Sequence, residues 1–240
     1  MKPKILVGCP TYELFEYCLD KYSKAINSLT YSNYDILLVD NSKEDNYLKK
    51  IKSLNLTVKK CPYSNLARAR IVASMNILRD YVLKNNYDYL LSLEQDIIPP
   101  KDVIQQLLKH NKKIISGVYF VYQNQYSTEQ QKYLIPVAWV TDEEFSIGNL
   151  DGVSVRLMHP KETEENKVIK VVSCGTGCLL IHRDILEKIK FRYDEFFPYF
   201  HDNWFCRDAF YQGFDVWMDT SIKCKHLINN KPFSWANIKK

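Results

Sequence analysis

The chain has 240 residues, of which 46% are hydrophobic and 25% are charged, an ordinary composition for a globular domain with a buried core. The formal net charge is +5, and the basic residues do not cluster beside aromatic residues, which argues against nucleic-acid binding. No apolar run approaches the roughly 20 residues that cross a bilayer, and the first residues lack the apolar core of a signal peptide. We therefore expect a cytoplasmic protein whose contact with membranes is at most peripheral.

Strands and helices alternate through residues 1–120. Near-continuous apolar runs predict strands at Lys4–Gly8, Tyr34–Val39, Leu56–Lys60, Asp88–Leu93 and Ile114–Tyr119. Apolar residues at helical spacing predict helices at Phe15–Leu29, Asp45–Leu54, Asn65–Asn85 and Lys101–His110. This alternation is typical of an α/β fold with a mostly parallel central sheet that helices cover on both faces.

Residues 121–240 show a different pattern, with short strands and few helices between them. The predicted strands are Leu134–Thr141, Val153–Leu157, Val168–Ser173, Gly177–His182, Phe214–Met218 and Lys223–His226, and the predicted helices are Asp184–Ile189 and Asn203–Tyr211. The polar stretch Asp142–Lys167 is predicted to contain a mobile loop. Because no linker is visible, we expect one domain of residues 1–240 in which 121–240 form a smaller half of mixed β structure.

The seven cysteines form no Cys-x-x-Cys pair. In a chain that shows no secretion signal, this pattern predicts free and mostly buried thiols. A structural zinc site is not expected, because no second pair of closely spaced ligands exists.

Polar residues follow several predicted strands, at the edge of the sheet where α/β proteins bind ligands. They are Thr11, Asp40, Asn41, Glu94 and Asp96. In the segment Glu94-Gln95-Asp96, two carboxylates directly after a buried strand can hold a hard divalent cation that bridges phosphate groups. The same residues can equally be a solvent-facing strand end before a helix. Asp40 can bind a ribose or a base, or it can form an Asx turn.

Two helix starts carry further candidates. Ser64 or Asn65 can cap the helix whose first turn holds Arg68 and Arg70, a combination that suits a pyrophosphate but also describes an ordinary capped helix. Asp202 lies at the start of another helix, where it can act as a general base or simply as an N-cap. The aromatic residues around it can form a wall for sugar stacking or belong to the core. His226 is a candidate metal ligand, although a lone histidine is more often structural.

Taken in order, these segments resemble the GT-A glycosyltransferases, especially the glycosyltransferase family 2-like group, over nearly the whole chain. The resemblance implies a GT-A, Rossmann-like fold in which residues 1–120 bind a nucleotide sugar and residues 121–240 bind the acceptor. It implies donor contacts for Pro10, Thr11, Asp40, Asn41, Asn65, Arg68, Glu94, Gln95, Gly175 and Gly177. A UDP-sugar is preferred, and the acceptor can be a glycan, a lipid or a protein.

The same resemblance implies a metal site and a catalytic base. Asp96 and His226 would hold Mn²⁺ or Mg²⁺ on the donor diphosphate, in a motif whose first acid here is Glu94. Asp202 would be the base, and His201 stands where the family has Glu. The implied reaction is a single displacement that inverts the configuration of the transferred sugar.

Three alternatives remain open. A retaining GT-A transferase would share the fold and the metal site. A non-catalytic carbohydrate-binding or scaffold protein could have arisen from a decayed transferase, in agreement with the altered residues Glu94 and His201. A nucleotidyltransferase fits less well, because the loop after the first strand, Gly8 to Tyr12, has one glycine and no arginine.

Overall fold

The computed structural model describes residues 2–124, 132–141, 148–150, 153–197, 199–228 and 231–232. Its α-helices are α1 (Leu19–Asn27), α2 (Asn46–Ser53), α3 (Ala67–Lys84), α4 (Val103–Leu108), α5 (Arg183–Lys188) and α6 (His201–Tyr211). Two 3-10 helices span Glu13–Cys18 and Pro160–Thr163. Within this described part of the chain, no helix has both the length and the apolar character needed to traverse a bilayer.

The strands are short and numerous. In chain order they are β1 (Ile5–Thr11), β2 (Tyr34–Asp40), β3 (Val58–Lys60), β4 (Tyr89–Leu93), β5 (Ile97–Ile98), β6 (Ile114–Val118), β7 (Phe120–Asn124), β8 (Lys132–Pro136), β9 (Ala138–Thr141), β10 (Gly148–Leu150), β11 (Val153–Leu157), β12 (Val168–Val171), β13 (Ser173–Cys174), β14 (Cys178–His182), β15 (Val216–Lys223), β16 (Lys225–Ile228) and β17 (Lys231–Pro232).

Eight strands form the central sheet, in the spatial order β12-β15-β6-β14-β4-β1-β2-β3. The pairs β1–β2, β1–β4, β2–β3 and β6–β15 are parallel. Strand β14 runs antiparallel between β4 and β6, and β12 is an antiparallel edge strand beside β15. The α/β prediction of a mostly parallel sheet flanked by helices is therefore confirmed.

Both faces of this sheet are buried, because successive residues of its inner strands point to opposite sides. In β1, Leu6 joins the core cluster that contains Leu78 of α3, whereas Ile5 and Val7 join the cluster that contains Leu19 of α1. Each side chain of this kind, fully buried, contributes roughly 1.5–3 kcal/mol relative to an exposed one. This two-sided burial explains why the strands appear as unbroken apolar runs in the sequence.

Three small sheets complete the second half of the chain. They are a four-stranded antiparallel sheet β10-β11-β9-β13, a three-stranded sheet β17-β16-β5 and the pair β7–β8. The sheet that contains β5 and β16 joins the end of the first half to a late strand. All seven cysteines are buried and free, as the sequence predicted.

Several predicted boundaries were wrong. The helix predicted at Phe15–Leu29 begins as a 3-10 turn, because the Phe15 N–H donates to the Tyr12 carbonyl at 2.9 Å directly after β1. The single strand predicted at Leu134–Thr141 is broken at Val137, whose N–H donates to Tyr119 instead of to a ladder partner. Of the predicted mobile loop, residues 142–147 and 151–152 lie outside the described residues, and the rest includes β10 and β11.

Candidate active site

A cleft of about 400 Å³ opens beyond the carboxyl ends of β1, β2 and β4. Six of the residues that the sequence singled out line it: Pro10, Thr11, Asn41, Glu94, Gln95 and Asp96. The remaining lining residues are Tyr12, Leu14, Phe15, Ala67, Arg70, Ile71 and His201. Parallel pairing creates this convergence, since Thr11 at the end of β1 lies in register with Asp40 at the end of β2. Ligands of open α/β sheets bind at this edge.

Asp96 and His226 are neighbours although 130 residues separate them in the chain. Strand β16 pairs antiparallel with β5, which places His226 opposite Ile97, and the Leu227 N–H donates to the Asp96 carbonyl at 2.7 Å. As a result, His226 Nε2 lies 3.1 Å from Asp96 Oδ2. The other ring nitrogen, Nδ1, lies 2.7 Å from the carbonyl oxygen of Phe120, to which it donates.

The donor set of this pair fits a divalent cation. In the neutral ring, Nδ1 carries the proton that the Phe120 carbonyl accepts, and the lone pair of Nε2 faces the Asp96 carboxylate at 3.1 Å. Two acceptor atoms at this distance are favourable only with a cation, either a metal ion or a proton, between them. Adjacent ligands of an octahedral ion with bonds of about 2.1 Å are also about 3 Å apart. A carbonyl that fixes the outer nitrogen of a ligating histidine is a common feature of metal sites.

Without a metal ion, a proton fills the same role. Burial lowers the pKa of His226, but the hydrogen bond and the negative charge of Asp96 outweigh burial and leave the pKa raised. Within the described part of the chain, no three His, Cys, Asp or Glu side chains surround one point where a metal could sit. The protein would thus supply two ligands, and donor phosphates and water the others.

Glu94 lies beside this pair and is held by Thr176. The Thr176 hydroxyl donates to Glu94 Oε1 at 3.0 Å and accepts from His201 Nε2 at 2.9 Å. Burial and the nearby charges of Asp96 and Asp202 raise the pKa of Glu94 to about 7, against the opposing effects of Thr176 and His226. Burial also lowers the pKa of His201, which favours its neutral form.

Asp202 lies in the first turn of α6, at the second helical position. The alternative role as N-cap is excluded, because the N-cap is Phe200, which has extended backbone angles and no capping side chain. Asp202 Oδ1 accepts from the Asn203 N–H at 2.8 Å. A carboxylate in this turn interacts favourably with the helix dipole. The negative charge of Asp202 contributes to the raised pKa of Glu94.

Asp40 is fully buried and engaged by the protein itself. Its Oδ2 accepts from Lys60 Nζ at 2.9 Å, and its Oδ1 accepts from the Ser42 N–H at 2.9 Å, which is the Asx turn that the sequence left as an alternative. Gln95 is also buried, with hydrogen bonds to Thr11, to Tyr47 and, at 3.0 Å, to the Phe15 carbonyl. Both residues therefore connect the loops that form the cleft.

The helix after β3 differs from its predicted start. Helix α3 begins at Ala67 with Leu66 as N-cap, so neither Ser64 nor Asn65 caps it. Their carbonyl groups instead accept from Arg70 Nη1 at 2.6 and 3.2 Å. Arg70 is buried, and its guanidinium lies 4.7 Å from the ring centroid of Tyr12.

The two arginines in the first turn of this helix point in different directions. Arg70 lines the cleft, whereas the guanidinium of Arg68 donates to the carbonyl oxygens of Asp194, at 3.0 Å, and Phe197. Asn65 is exposed and does not line the cleft. Residues three apart share a helix face but residues two apart do not, which explains the difference between Arg68 and Arg70.

Gly175 and Gly177 lie in the turn that carries Thr176, where both pack against Tyr119. A Cβ atom at Gly177 would lie 2.6 Å from Tyr119 Cζ, and one at Gly175 would overlap the Tyr119 hydroxyl group. The Gly177 N–H donates to that hydroxyl at 3.2 Å. Close packing of a buried aromatic ring therefore requires both glycines.

Sequence reasoning missed three residues of the site, Tyr12, Thr176 and Tyr119, and did not assign Arg70 to the cleft. Tyr12 directly follows Pro10-Thr11, and Thr176 stands between the two glycines, so position next to a recognised motif was an available signal. Tyr119 gave none, because an aromatic residue at the end of an apolar strand normally indicates core. Which of Arg68 and Arg70 faces the cleft depends on the residue at which α3 begins.

Three solved structures are similar to the chain at low sequence identity. GalNAc-T7 with UDP, GalNAc and Mn²⁺ has a TM-score of 0.63 at 10% identity, covering 93% of this chain and 44% of that one. S. aureus TarS 1–349 with UDP-GlcNAc has a TM-score of 0.54 at 12% identity, covering 97% and 60%. A197 from STIV has a TM-score of 0.52 at 15% identity, covering 97% and 91%.

At these identities the similarity establishes the fold, which is GT-A, and no more. The chain also spans less than two thirds of the GalNAc-T7 and TarS chains. No curated protein sequence matches it. A family model described as Glycosyl transferase family 2, however, matches residues 7–190, which include most of β1, the acidic pair and both glycines. The chain therefore belongs to glycosyltransferase family 2.

Proposed function

We propose that this protein transfers a sugar from a UDP-sugar to an acceptor hydroxyl group, with a divalent metal ion and with inversion of configuration. The observation that carries the proposal is the contact between Asp96 and His226, with Asp96 and the carboxylate Glu94 both lining the cleft. The negative charges of Asp96 and Asp202 both raise the pKa of Glu94. Family membership supports the reaction class. The UDP ligands named for GalNAc-T7 and TarS support the choice of nucleotide.

The donor would occupy the cleft with its nucleotide beside β1 and α3. Arg70 presents a cationic group next to the Tyr12 ring, a combination that can hold a base or a phosphate. Asn41 adds an amide at the end of β2. Glu94, oriented by Thr176, can bind a hydroxyl group of the donor sugar. The parts of Pro10, Thr11, Asp40, Asn65, Arg68, Gln95, Gly175 and Gly177 in donor binding remain predictions.

The transfer itself would be one displacement. Asp202 accepts the proton of the acceptor hydroxyl, whose oxygen forms a bond with the anomeric carbon. The bond from that carbon to the diphosphate oxygen breaks at the same time, and its electron pair leaves with the diphosphate. Asp96 and His226 would hold Mn²⁺ or Mg²⁺, which, when bound, neutralises charge on the departing diphosphate. The cytoplasmic location and the class of acceptor also remain predictions.

Calorimetric titration of UDP with and without Mn²⁺ tests the donor site. We expect binding to require Mn²⁺ and to be lost in Asp96→Asn and His226→Ala. Asp20→Asn, a substitution of an exposed carboxylate in the first turn of α1, is the matched control and should bind like the unaltered protein. Binding of UDP that is equally tight without metal, or unchanged in Asp96→Asn, would contradict the proposed metal site.

A second experiment tests the base and the stereochemistry. In Asp202→Asn, transfer should fall by at least about a hundredfold while UDP affinity is kept, because a general base contributes about 10²–10⁴-fold. Near-normal transfer by this variant would remove Asp202 from the role. NMR of the first product distinguishes inversion from retention, and binding of UDP without any turnover would favour the decayed, non-catalytic alternative.

A further inference from the structure

Four exposed aromatic side chains lie in one short segment directly before α6. Phe196 is 92% exposed, and about half of the surface of Phe197, Tyr199 and Phe200 is exposed. We refer to these four side chains as the aromatic face. Single exposed aromatic residues are ordinary on protein surfaces, but a contiguous group of them marks a site of interaction.

Two of the four rings of the aromatic face, those of Phe197 and Tyr199, pack against a buried ring. The rings of Phe197 and Tyr199 lie in planes that differ by 6°, and both meet Trp204 edge-on, at centroid distances of 6.0 and 6.4 Å. Trp204 is buried in α6, and the guanidinium of Arg192 lies over its ring, 4.0 Å from the ring centroid. Fixed rings lose little conformational freedom when they bind a partner, which favours affinity.

The aromatic face is also tied to the donor cleft. Arg68, in the first turn of α3, donates to the carbonyl oxygens of Asp194 and Phe197, and Arg70 in the same turn lines the cleft. On the other side, Phe200 is the N-cap of α6, and Asp202 follows two residues later. The aromatic face is therefore bonded to the helix turn that lines the cleft, and it closely precedes the proposed base in the chain.

We propose that the aromatic face binds a sugar ring of the acceptor, which makes the acceptor a glycan; this inference rests on the proposed function. One side of a pyranose ring presents C–H groups that stack on flat aromatic rings, and its hydroxyl groups project at the edges. Asp194 and the exposed Glu195 flank the face, and carboxylates accept hydrogen bonds from such hydroxyl groups. The same carboxylates repel an anionic lipid surface, which disfavours docking to a membrane.

Saturation-transfer NMR with cellotetraose, chitotetraose and maltotetraose tests the proposal, in the presence of UDP and Mn²⁺. We expect at least one tetrasaccharide to bind and Phe196→Ala to weaken its binding by about three- to tenfold, the effect of one aromatic contact. Phe196 is so exposed that this variant should fold normally. Phe210→Ala is the matched control. Phe210 is a half-exposed aromatic residue of α6, and it lies about 12 Å along the helix axis from Asp202.

Two NMR results would overturn the inference: no binding of any of the three tetrasaccharides, or equal binding by Phe196→Ala and the unaltered protein. A third such result would be sedimentation with vesicles of phosphatidylcholine and phosphatidylglycerol that depends on Phe196. Calorimetry of UDP on the same samples separates the two proposals. If UDP still binds while one of these three results is obtained, the inference about the aromatic face fails and the proposed donor site stands. Tetrasaccharide binding through Phe196 without UDP binding would support the aromatic face and contradict the proposed transfer.

Discussion

A methyl group added at Gly175 should destabilise the protein by crowding Tyr119. The new Cβ atom would overlap the Tyr119 hydroxyl group and lie 2.9 Å from Val137 Cγ1 and 3.0 Å from Tyr119 Cζ. Tyr119 is buried, and its ring packs edge-on against His226 at a centroid distance of 5.6 Å, so it cannot move without disturbing His226. Overpacking of a core costs about 1–3 kcal/mol, or roughly 2–4 °C in Tm per kcal/mol for a chain of this length.

Urea unfolding of Gly175→Ala, Tyr119→Phe and the double variant measures this effect. Tyr119→Phe alone should cost about 1 kcal/mol, since it removes the hydrogen bond from the Gly177 N–H. It also removes the nearest atom to the new methyl group, so the double variant should be more stable than the sum of the single changes by about 1 kcal/mol or more.

Gly177→Ala is the matched control for this argument. Its Cβ atom would meet ring carbons of Tyr119, at 2.6 and 2.8 Å, which remain when the hydroxyl is removed. Tyr119→Phe should therefore not rescue Gly177→Ala. A Gly175→Ala variant as stable as the unaltered protein, or equal rescue of both glycine variants, would refute the steric explanation.

Two further predictions concern stability and the donor site. Burial by itself raises the pKa of Asp219, but hydrogen bonds from Ser221 and His110 outweigh it and hold the pKa below its usual value. Asp219 therefore stabilises the fold above about pH 4, the pKa of an unfolded aspartate, and this contribution is lost as pH falls through the folded pKa. In urea titrations, Asp219→Asn should be less stable at pH 7, and the deficit should shrink at pH 3; a deficit independent of pH contradicts this. Arg70→Met should weaken Mn²⁺-dependent UDP binding in calorimetry more than Arg68→Met does, and the reverse order would restore Arg68 to the donor site.

The sequence predicted the first half of the fold well because its signals are local. Strand β2 and helix α3 each carry an uninterrupted pattern of apolar residues, and their observed bounds lie within two residues of the predicted ones. The second half was harder, since strands such as β9 and β13 are short and their pairing joins distant segments. The helix starts were mispredicted for a related reason. Ser64 and Asp202 can act as capping side chains, but α3 begins after Leu66 and α6 begins after Phe200.

The sequence by itself determined the α/β class, the family resemblance, and the acidic residues at the end of β4, because periodicity and short motifs are properties of neighbouring residues. Only the tertiary structure decided that His226 meets Asp96, that Arg70 and not Arg68 lines the cleft, and that Tyr119 fills the space left by two glycines. These facts depend on strand pairing, helix phase and packing. Each is set by contacts between residues far apart in the chain, for which the linear order of residues carries no direct signal.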